Sequence, residues 1–229
     1  MQRDVPAVKR DSCEFSIWLH LCFEMMLDQD RLVSTFASIS SDELTGLYAN
    51  SLRLPAVSTN ADTEFELSMR KWDDLSAEEF TACFELVRNN LIGMYKNSTI
   101  GWSPRKKMAE MKERGLIYVL LKSNSATVGF ISFMVTIEEG ECVVYCYELQ
   151  LPESLRGRGL GKALLGIMEE IAAKAGVPKA MLTVFSSNPA QHFYSSLGYV
   201  PAEHSPLGKN LRNGVVKQPS YYILGKSLL

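Results

Sequence analysis

The 229-residue chain holds only three histidines and five cysteines. The cysteines stand at 13, 22, 83, 142 and 146; their number is odd, and none are spaced as a metal-ligand quartet. That argues against a metal site and for reduced, intracellular thiols. Cys142 and Cys146, four apart on or beside one strand, make a poor disulfide pair. Neither has a histidine close in sequence, so a covalent cysteine mechanism lacks its usual base. No run of 18 uncharged apolar residues occurs, and no basic and apolar leader precedes a cleavage site, so a soluble, non-secreted protein away from membranes is expected. An excess of one charge is missing too. Lys and Arg total 24, Asp and Glu 26, and the pI is near 6.0. Such a balance does not fit a general nucleic-acid binder and is easier to reconcile with a basic partner. Internal repeats and low-complexity tracts are also absent. What is present is 46% hydrophobic residues, enough for one substantial domain with an appendage or two small ones.

The pattern along the chain divides it near residue 60. Residues 1–11 are polar. Over 14–26 the apolar residues Phe15, Ile17, Trp18, Leu21, Cys22 and Met25 predict a helix with a broad buried face. Ser40 and Glu43 form a capping box ahead of Leu44, Leu47 and Tyr48. Residues 1–60 are therefore expected to be a helical extension that packs on the core, with 55–64 as a linker and 61–229 as the main domain. There, Phe65, Leu67 and Met69 alternate as a first strand. Ser76 and Glu79 cap a helix with Phe80, Cys83, Phe84, Val87 and Leu91 on one face. Ser103-Pro104 opens a short helix carrying Arg105, Lys106, Lys107, Lys112 and Arg114, whose plain reading is a solvated basic face. Strands over 116–121, 127–137 and 143–151 form an antiparallel meander with an acidic turn at 138–141. A helix from Leu160 to about 175, a strand over 180–185, a helix over 189–197 and strands from Tyr199 and Tyr221 follow, with 201–219 as a polar loop. Strand–helix–strand units after a meander predict an α/β fold with a mixed sheet.

The stretch 143–168 organises the rest. An apolar and aromatic strand, with Glu148 and Gln150 as its polar exceptions, runs into a turn of alternating glycine and arginine. The turn opens a helix with Leu160, Leu164, Ile167, Met168 and Ile171 in register. Backbone N–H groups before a helix start, with Arg156, Arg158 and Lys162 beside them, suit a phosphate or pyrophosphate. The glycines lack the wider gaps of G-x-G-x-x-G, and no GK[ST] follows, so neither common nucleotide loop applies. The alternative is a basic turn without a ligand.

Arg156-Gly157-Arg158-Gly159-Leu160-Gly161 resembles the acyl-coenzyme A signature of the GNAT acetyltransferases, and the element order is similar to the GNAT fold: a mixed, mostly antiparallel central sheet flanked by helices. Gly101-Trp102-Ser103, Tyr145-Cys146-Tyr147-Glu148-Leu149-Gln150-Leu151 and Met181-Leu182-Thr183-Val184-Phe185 narrow the resemblance to the N-terminal acetyltransferase D family, from about Glu64 onward. This implies acetyl transfer from acetyl-coenzyme A to the free amine of histone 4 and histone 2A, whose N-termini read Ser-Gly-Arg-Gly. A monomer in nucleus and cytoplasm, with neither metal nor nucleic acid, goes with it.

The resemblance also implies a site. Leu149, Leu151, Arg156, Gly157, Arg158, Gly159, Leu160, Gly161, Lys162, Asn188 and Tyr194 would hold the coenzyme. Tyr95, Trp102, Glu138, Tyr145, Tyr147, Glu148 and Tyr221 would hold the acceptor. Glu148, Tyr147 and Tyr194 would handle protons. A carboxylate in so apolar a strand is costly to bury, and burial favours a basic, proton-accepting group; a carboxylate satisfied by a cation is the other reading of Glu148. Perfect alternation puts Tyr145 and Tyr147 on the face opposite Glu148, and a bulge would reverse that. Thr136 stands where the family has an aspartate, and Glu139 and Glu141 are candidates to compensate. Three rivals share the coenzyme residues: a lysine acetyltransferase, a small-molecule amine acetyltransferase and a non-enzymatic acyl-coenzyme A-binding domain.

Overall fold

A computed structural model describes residues 28–54, 64–210 and 216–229. The helix expected over 14–26, with Trp18 and Leu21, and nearly all of the 55–64 linker lie outside the described residues. The described chain begins with helix α1 (28–38) and α2 (Ser41–Tyr48). Strand β1 (Glu66–Lys71), helix α3 (Ala77–Lys96) and helix α4 (Pro104–Glu110) follow, then β2 (Ile117–Ser123), β3 (Ala126–Glu138) and β4 (Glu141–Gln150). Helix α5 (Leu160–Lys174), β5 (Lys179–Phe185), α6 (Ala190–Ser196) and β6 (Val200–Pro201) come next. A small hairpin of β7 (Lys209–Asn210) and β8 (Val216–Lys217) interrupts the expected polar loop, and β9 (Tyr221–Ser227) closes the fold.

Both capping boxes form as the sequence predicts. Ser40 and Glu43 exchange side-chain and backbone hydrogen bonds, and so do Ser76 and Glu79. Seven strands make one sheet in the order β1-β2-β3-β4-β5-β9-β6. The pairs from β1 to β4 are antiparallel, β4–β5 is parallel, and β9 runs antiparallel to β5 and β6. Each face carries its own core. One holds Ile131, Phe133, Cys146, Leu164, Met168 and Leu182 under α5. The other holds Cys83, Val87, Met111, Tyr118 and Phe130 under α3 and α4. Leu44 of α2 is fully buried in the first core. The Lys71 ammonium, buried beside α1, donates to the carbonyls of Phe36 (2.7 Å) and Gly115 (3.2 Å).

Two departures from regular pairing shape the centre of the sheet. The β3–β4 register slips by one residue, from Ser132 opposite Glu148 to Phe133 opposite Cys146, which leaves Tyr147 as the extra residue of a β-bulge. Ser132 lies between Ile131 and Phe133 of the α5-side core, so it and Glu148 face α3 and α4. Tyr147 packs on that same side. The bulge thus puts Tyr145, Tyr147 and Glu148 on one face, against simple alternation. The second departure is a split. Strand β4 pairs with β5 only from Val143 to Cys146, while β5 continues along β9 to Phe185. Beyond Cys146 the two strands part.

Candidate active site

A cleft of about 940 Å³ fills the split. One wall is β4 from Tyr145 to Leu151, and the other is β5 from Leu182 to Phe185. Arg156, Gly157, Gly159, Gly161 and Lys162 line one end, and Tyr95, Glu110, Glu138 and Tyr221 line the cleft from other elements. Asn188 and Tyr194 also line it. Of the site residues expected from sequence, Trp102, Arg158 and Leu160 do not reach the cleft. Leu160 is fully buried in the α5 core. Trp102 instead stacks on Phe84 and packs against Tyr95, with ring centroids 6.1 and 5.3 Å apart. It supports the Tyr95 wall from behind.

The glycine turn fits an anion. Gly157 and Gly159 have φ of +72° and +82°, which side chains adopt only with strain. Among the described residues, a Cβ placed on either would meet nothing within 4 Å beyond its own chain neighbours. Gly159 is also the N-cap of α5 and offers no side-chain cap. The first N–H groups of a 15-residue helix therefore lie beside bare backbone, with Lys162 in the same wall. A pyrophosphate-bearing ligand such as acetyl-coenzyme A suits that arrangement. Arg156 lines this end of the cleft and also braces the turn. Its Nε donates to the Leu151 carbonyl (3.1 Å) and its Nη2 to Asn90 Oδ1 (2.8 Å). Asn188 Oδ1 accepts from the Ala190 N–H (2.9 Å) and fixes the entry to α6.

Glu148, only 5% exposed, sits where β4 leaves β5. Its Oε1 accepts from Lys107 Nζ at 2.9 Å, and its Oε2 accepts from Gln150 Nε2 at 2.6 Å. Lys107 is equally buried, donates also to Glu110 Oε1 at 2.6 Å, and lies 5.1 Å from the centre of the Tyr95 ring. The solvated basic face expected around Lys107 is therefore corrected at this residue. Lys107 lies one helical turn before the buried Met111 and turns inward with it. Burial alone would lower its pKa, but Glu148, then Tyr95 and Glu110, outweigh that and push it above the usual lysine range. Asn90 Nδ2 donates to Gln150 Oε1 (2.9 Å) and to the Leu151 carbonyl (3.1 Å). A continuous hydrogen-bonded chain thus runs from Glu110 through Lys107, Glu148, Gln150 and Asn90 to Arg156.

Four of the site tyrosines, Tyr95, Tyr145, Tyr147 and Tyr194, are held as neutral phenols. Burial raises the pKa of Tyr147, helped by Glu113, Glu138 and Glu110. Burial raises Tyr145 and Tyr95 as well, and it takes Tyr194 far above the phenol range, with Cys146 and Glu148 adding to the shift. The Tyr145 hydroxyl lies 2.6 Å from Thr183 Oγ1, and the Tyr145 and Tyr147 rings meet edge to face at 5.6 Å. Glu138 lines the cleft, whereas Glu139 and Glu141 do not; Glu141 pairs with Lys179 at 2.6 Å. Among the described residues, no group of three or more His, Cys, Asp or Glu could hold a metal.

Lys107, Asn90 and the β5 wall at Thr183 do not stand out as site residues in the sequence, and Gln150 stands out only as the second polar exception of its strand. Asn90 does carry a signal, since it lies three residues after Val87, on the α3 face that is buried. Lys107 carries a weaker one in its spacing from Met111.

Known proteins share both the sequence pattern and this architecture. Residues 66–199 match the family model described as the acetyltransferase (GNAT) family. Over 181 residues the chain is 34% identical to N-alpha-acetyltransferase 40 of Saccharomyces cerevisiae, and the match covers 62% of each chain. The chain thus spans less than two thirds of that relative's length. An acyl-CoA N-acyltransferase of Pseudomonas aeruginosa superposes with a TM-score of 0.53 at 11% identity, over 71% of this chain and 99% of its own. The PaiA N-acetyltransferase of Thermoplasma acidophilum, solved in complex with coenzyme A, gives 0.50 at 19% identity, over 71% and 99%. These two show a shared fold. With the family match spanning more than half of the sequence, the split sheet and its glycine turn have a clear origin: the chain belongs to the GNAT acetyltransferase family.

Proposed function

We propose that this GNAT acetyltransferase transfers the acetyl group of acetyl-coenzyme A directly to the free N-terminal amine of histone 4 and histone 2A. One observation carries the reading: a single cleft joins a bare glycine turn to walls of aromatic and acidic side chains, with Glu148 on the strand between. The glycine end suits a pyrophosphate. Tyr95, Tyr145, Tyr147, Tyr221, Glu110 and Glu138 suit a short, small-residue, cationic N-terminus such as Ser-Gly-Arg-Gly. The yeast relative is by name an N-alpha-acetyltransferase, which supports the α-amine over a lysine.

Acetyl-coenzyme A supplies the activated acetyl group when bound; the chain's residues position the amine and move protons. The Lys107 partner holds one oxygen of Glu148 at 2.9 Å. Two of its roughly four lone-pair sites serve Lys107 and Gln150, and the rest are free to accept a proton from the amine, directly or through water. Tyr147, on the same face, aligns the amine. Tyr194, protonated at all working pH values, is the candidate donor toward the departing thiolate. Leu149 and Leu151 line the path from Glu148 to the turn. Such an enzyme works as a monomer, in the cytoplasm and nucleus where these tails are made and used.

The test is an acceptor panel at fixed acetyl-coenzyme A: peptides of the two histone tails, the same peptides with blocked N-termini, and a polyamine. Transfer restricted to the unblocked peptides is expected. Faster transfer to the polyamine or to blocked peptides would assign the cleft to another acceptor.

A further inference from the structure

Glu148 is held by Lys107, a residue to which the proposed transfer assigns no step of its own. Lys107 comes from a different element, and its ammonium is anchored from three directions: Glu148 on β4, Glu110 on its own helix, and the face of Tyr95 on α3. Both members of the Lys107–Glu148 pair are about 5% exposed, and both line the cleft. A buried ammonium this well tied leaves little freedom for the carboxylate it meets. Gln150 fixes the second oxygen and is fixed in turn by Asn90.

We propose that Lys107 is a positioning residue: anchored by Glu110 and Tyr95, it aims the Glu148 carboxylate into the split, toward the acceptor amine. The inference rests on the reading of Glu148 as the base. The titratable groups that face the pair are Glu110 on α4, Tyr95 on α3, Tyr118 on β2, Cys146 on β4 and Tyr194 on α6. Burial pushes the phenols and the thiol up, so they stay neutral through the working range. The local balance is therefore one ammonium against two carboxylates, Glu148 and Glu110. Removing the ammonium leaves the Glu148 carboxylate buried beside a like charge with no cation between them, so an acidic limb set by this cluster should move upward. Removing the Glu110 charge does the reverse.

Those opposite signs provide the test. Lys107→Met, Lys107→Arg, Glu110→Gln and Glu148→Gln are made in the full chain. The pH profile of kcat is then recorded with acetyl-coenzyme A and an unblocked Ser-Gly-Arg-Gly peptide, after circular dichroism has confirmed folding. Lys107→Met is expected to move the acidic limb upward by about one pH unit or more, with kcat recovering toward the alkaline plateau. Glu110→Gln is expected to move it downward by less, and Lys107→Arg to keep it closer to wild type. Limbs that stay in place while Lys107→Met lowers kcat by one factor at every pH would overturn the proposal, because a merely structural residue acts that way. If Lys107→Met fails to fold, the half-exposed Glu110 still decides it: no downward movement in Glu110→Gln refutes the charge balance. Near-normal kcat in Glu148→Gln would remove the base, and the inference with it. A large loss in Glu148→Gln beside unmoved limbs in the other variants would remove this inference alone.

Discussion

Glu148→Gln keeps the size and shape of the side chain and removes its charge. Two effects follow from its surroundings. The first is on stability. Breaking a buried ion pair by removing one partner costs about 3–5 kcal/mol. Here Lys107 keeps Glu110 at 2.6 Å, and a glutamine carbonyl can still accept its hydrogen bond, so the loss should fall at or below the low end. Lys107 adds no pH dependence to this in the working range. Its pKa is raised in the folded state, so its stabilisation is complete below the unfolded lysine value of about 10.4 and is lost only as pH climbs through the folded value above that. The second effect is on chemistry. Loss of a general base lowers kcat by about 10²-fold or more, with little change in acetyl-coenzyme A affinity. The free amine of a peptide has a pKa of about 7.7–8.0. It loses its own proton at higher pH, so the wild-type-to-variant ratio should narrow between about pH 6.5 and 9. Steady-state kinetics below the variant's melting temperature measure this. A kcat close to wild type at neutral pH would refute the base assignment; a loss confined to KM, recovered at saturating peptide, would make Glu148 an anchor for the substrate.

Other expectations follow from the same cleft. A side chain larger than alanine at Gly161 would press on Phe193 and Leu151, which an added Cβ already meets at 3.5 and 3.7 Å. Gly161→Val, and Gly159→Ala through its strained φ, should each weaken acetyl-coenzyme A binding by calorimetry without unfolding the protein. Glu138→Ala should raise KM for a Ser-Gly-Arg-Gly peptide, and replacing the peptide's arginine by alanine should then cost little more; additive losses in that cycle would dissociate the two groups. Deleting residues 1–54 removes α1 and α2, takes Leu44 out of the core and takes away the Phe36 carbonyl that holds Lys71. A clear fall in melting temperature is expected, and unchanged melting would show that the extension is dispensable.

Much of this was legible in the sequence, for physical reasons. Capping boxes at Ser40 and Ser76 announce helix starts because each satisfies two orphan donors with local chemistry. The glycine turn was legible because only bare backbone before a helix makes such an anion cradle. The bulge at Tyr147 was not, since the register of β3 against β4 creates it and neither strand's alternation encodes it. The bracing bonds of Arg156 to Asn90 and the Leu151 carbonyl were not legible either, because Asn90 lies far away in sequence. Lys107 was hidden within a basic run on a seven-residue helix, where one inward-turning lysine looks like its solvated neighbours. Its burial against Glu148 becomes visible only once tertiary packing brings the two together.

The central claim is that the cleft acetylates an α-amine. Its most direct test is to incubate the full chain with acetyl-coenzyme A and a Ser-Gly-Arg-Gly peptide that also carries an internal lysine, and to locate the product by fragment mass spectrometry. One acetyl group on the N-terminal nitrogen of the serine is the predicted product. Acetyl groups on the lysine, at comparable rates whether or not the N-terminus is blocked, would contradict the claim.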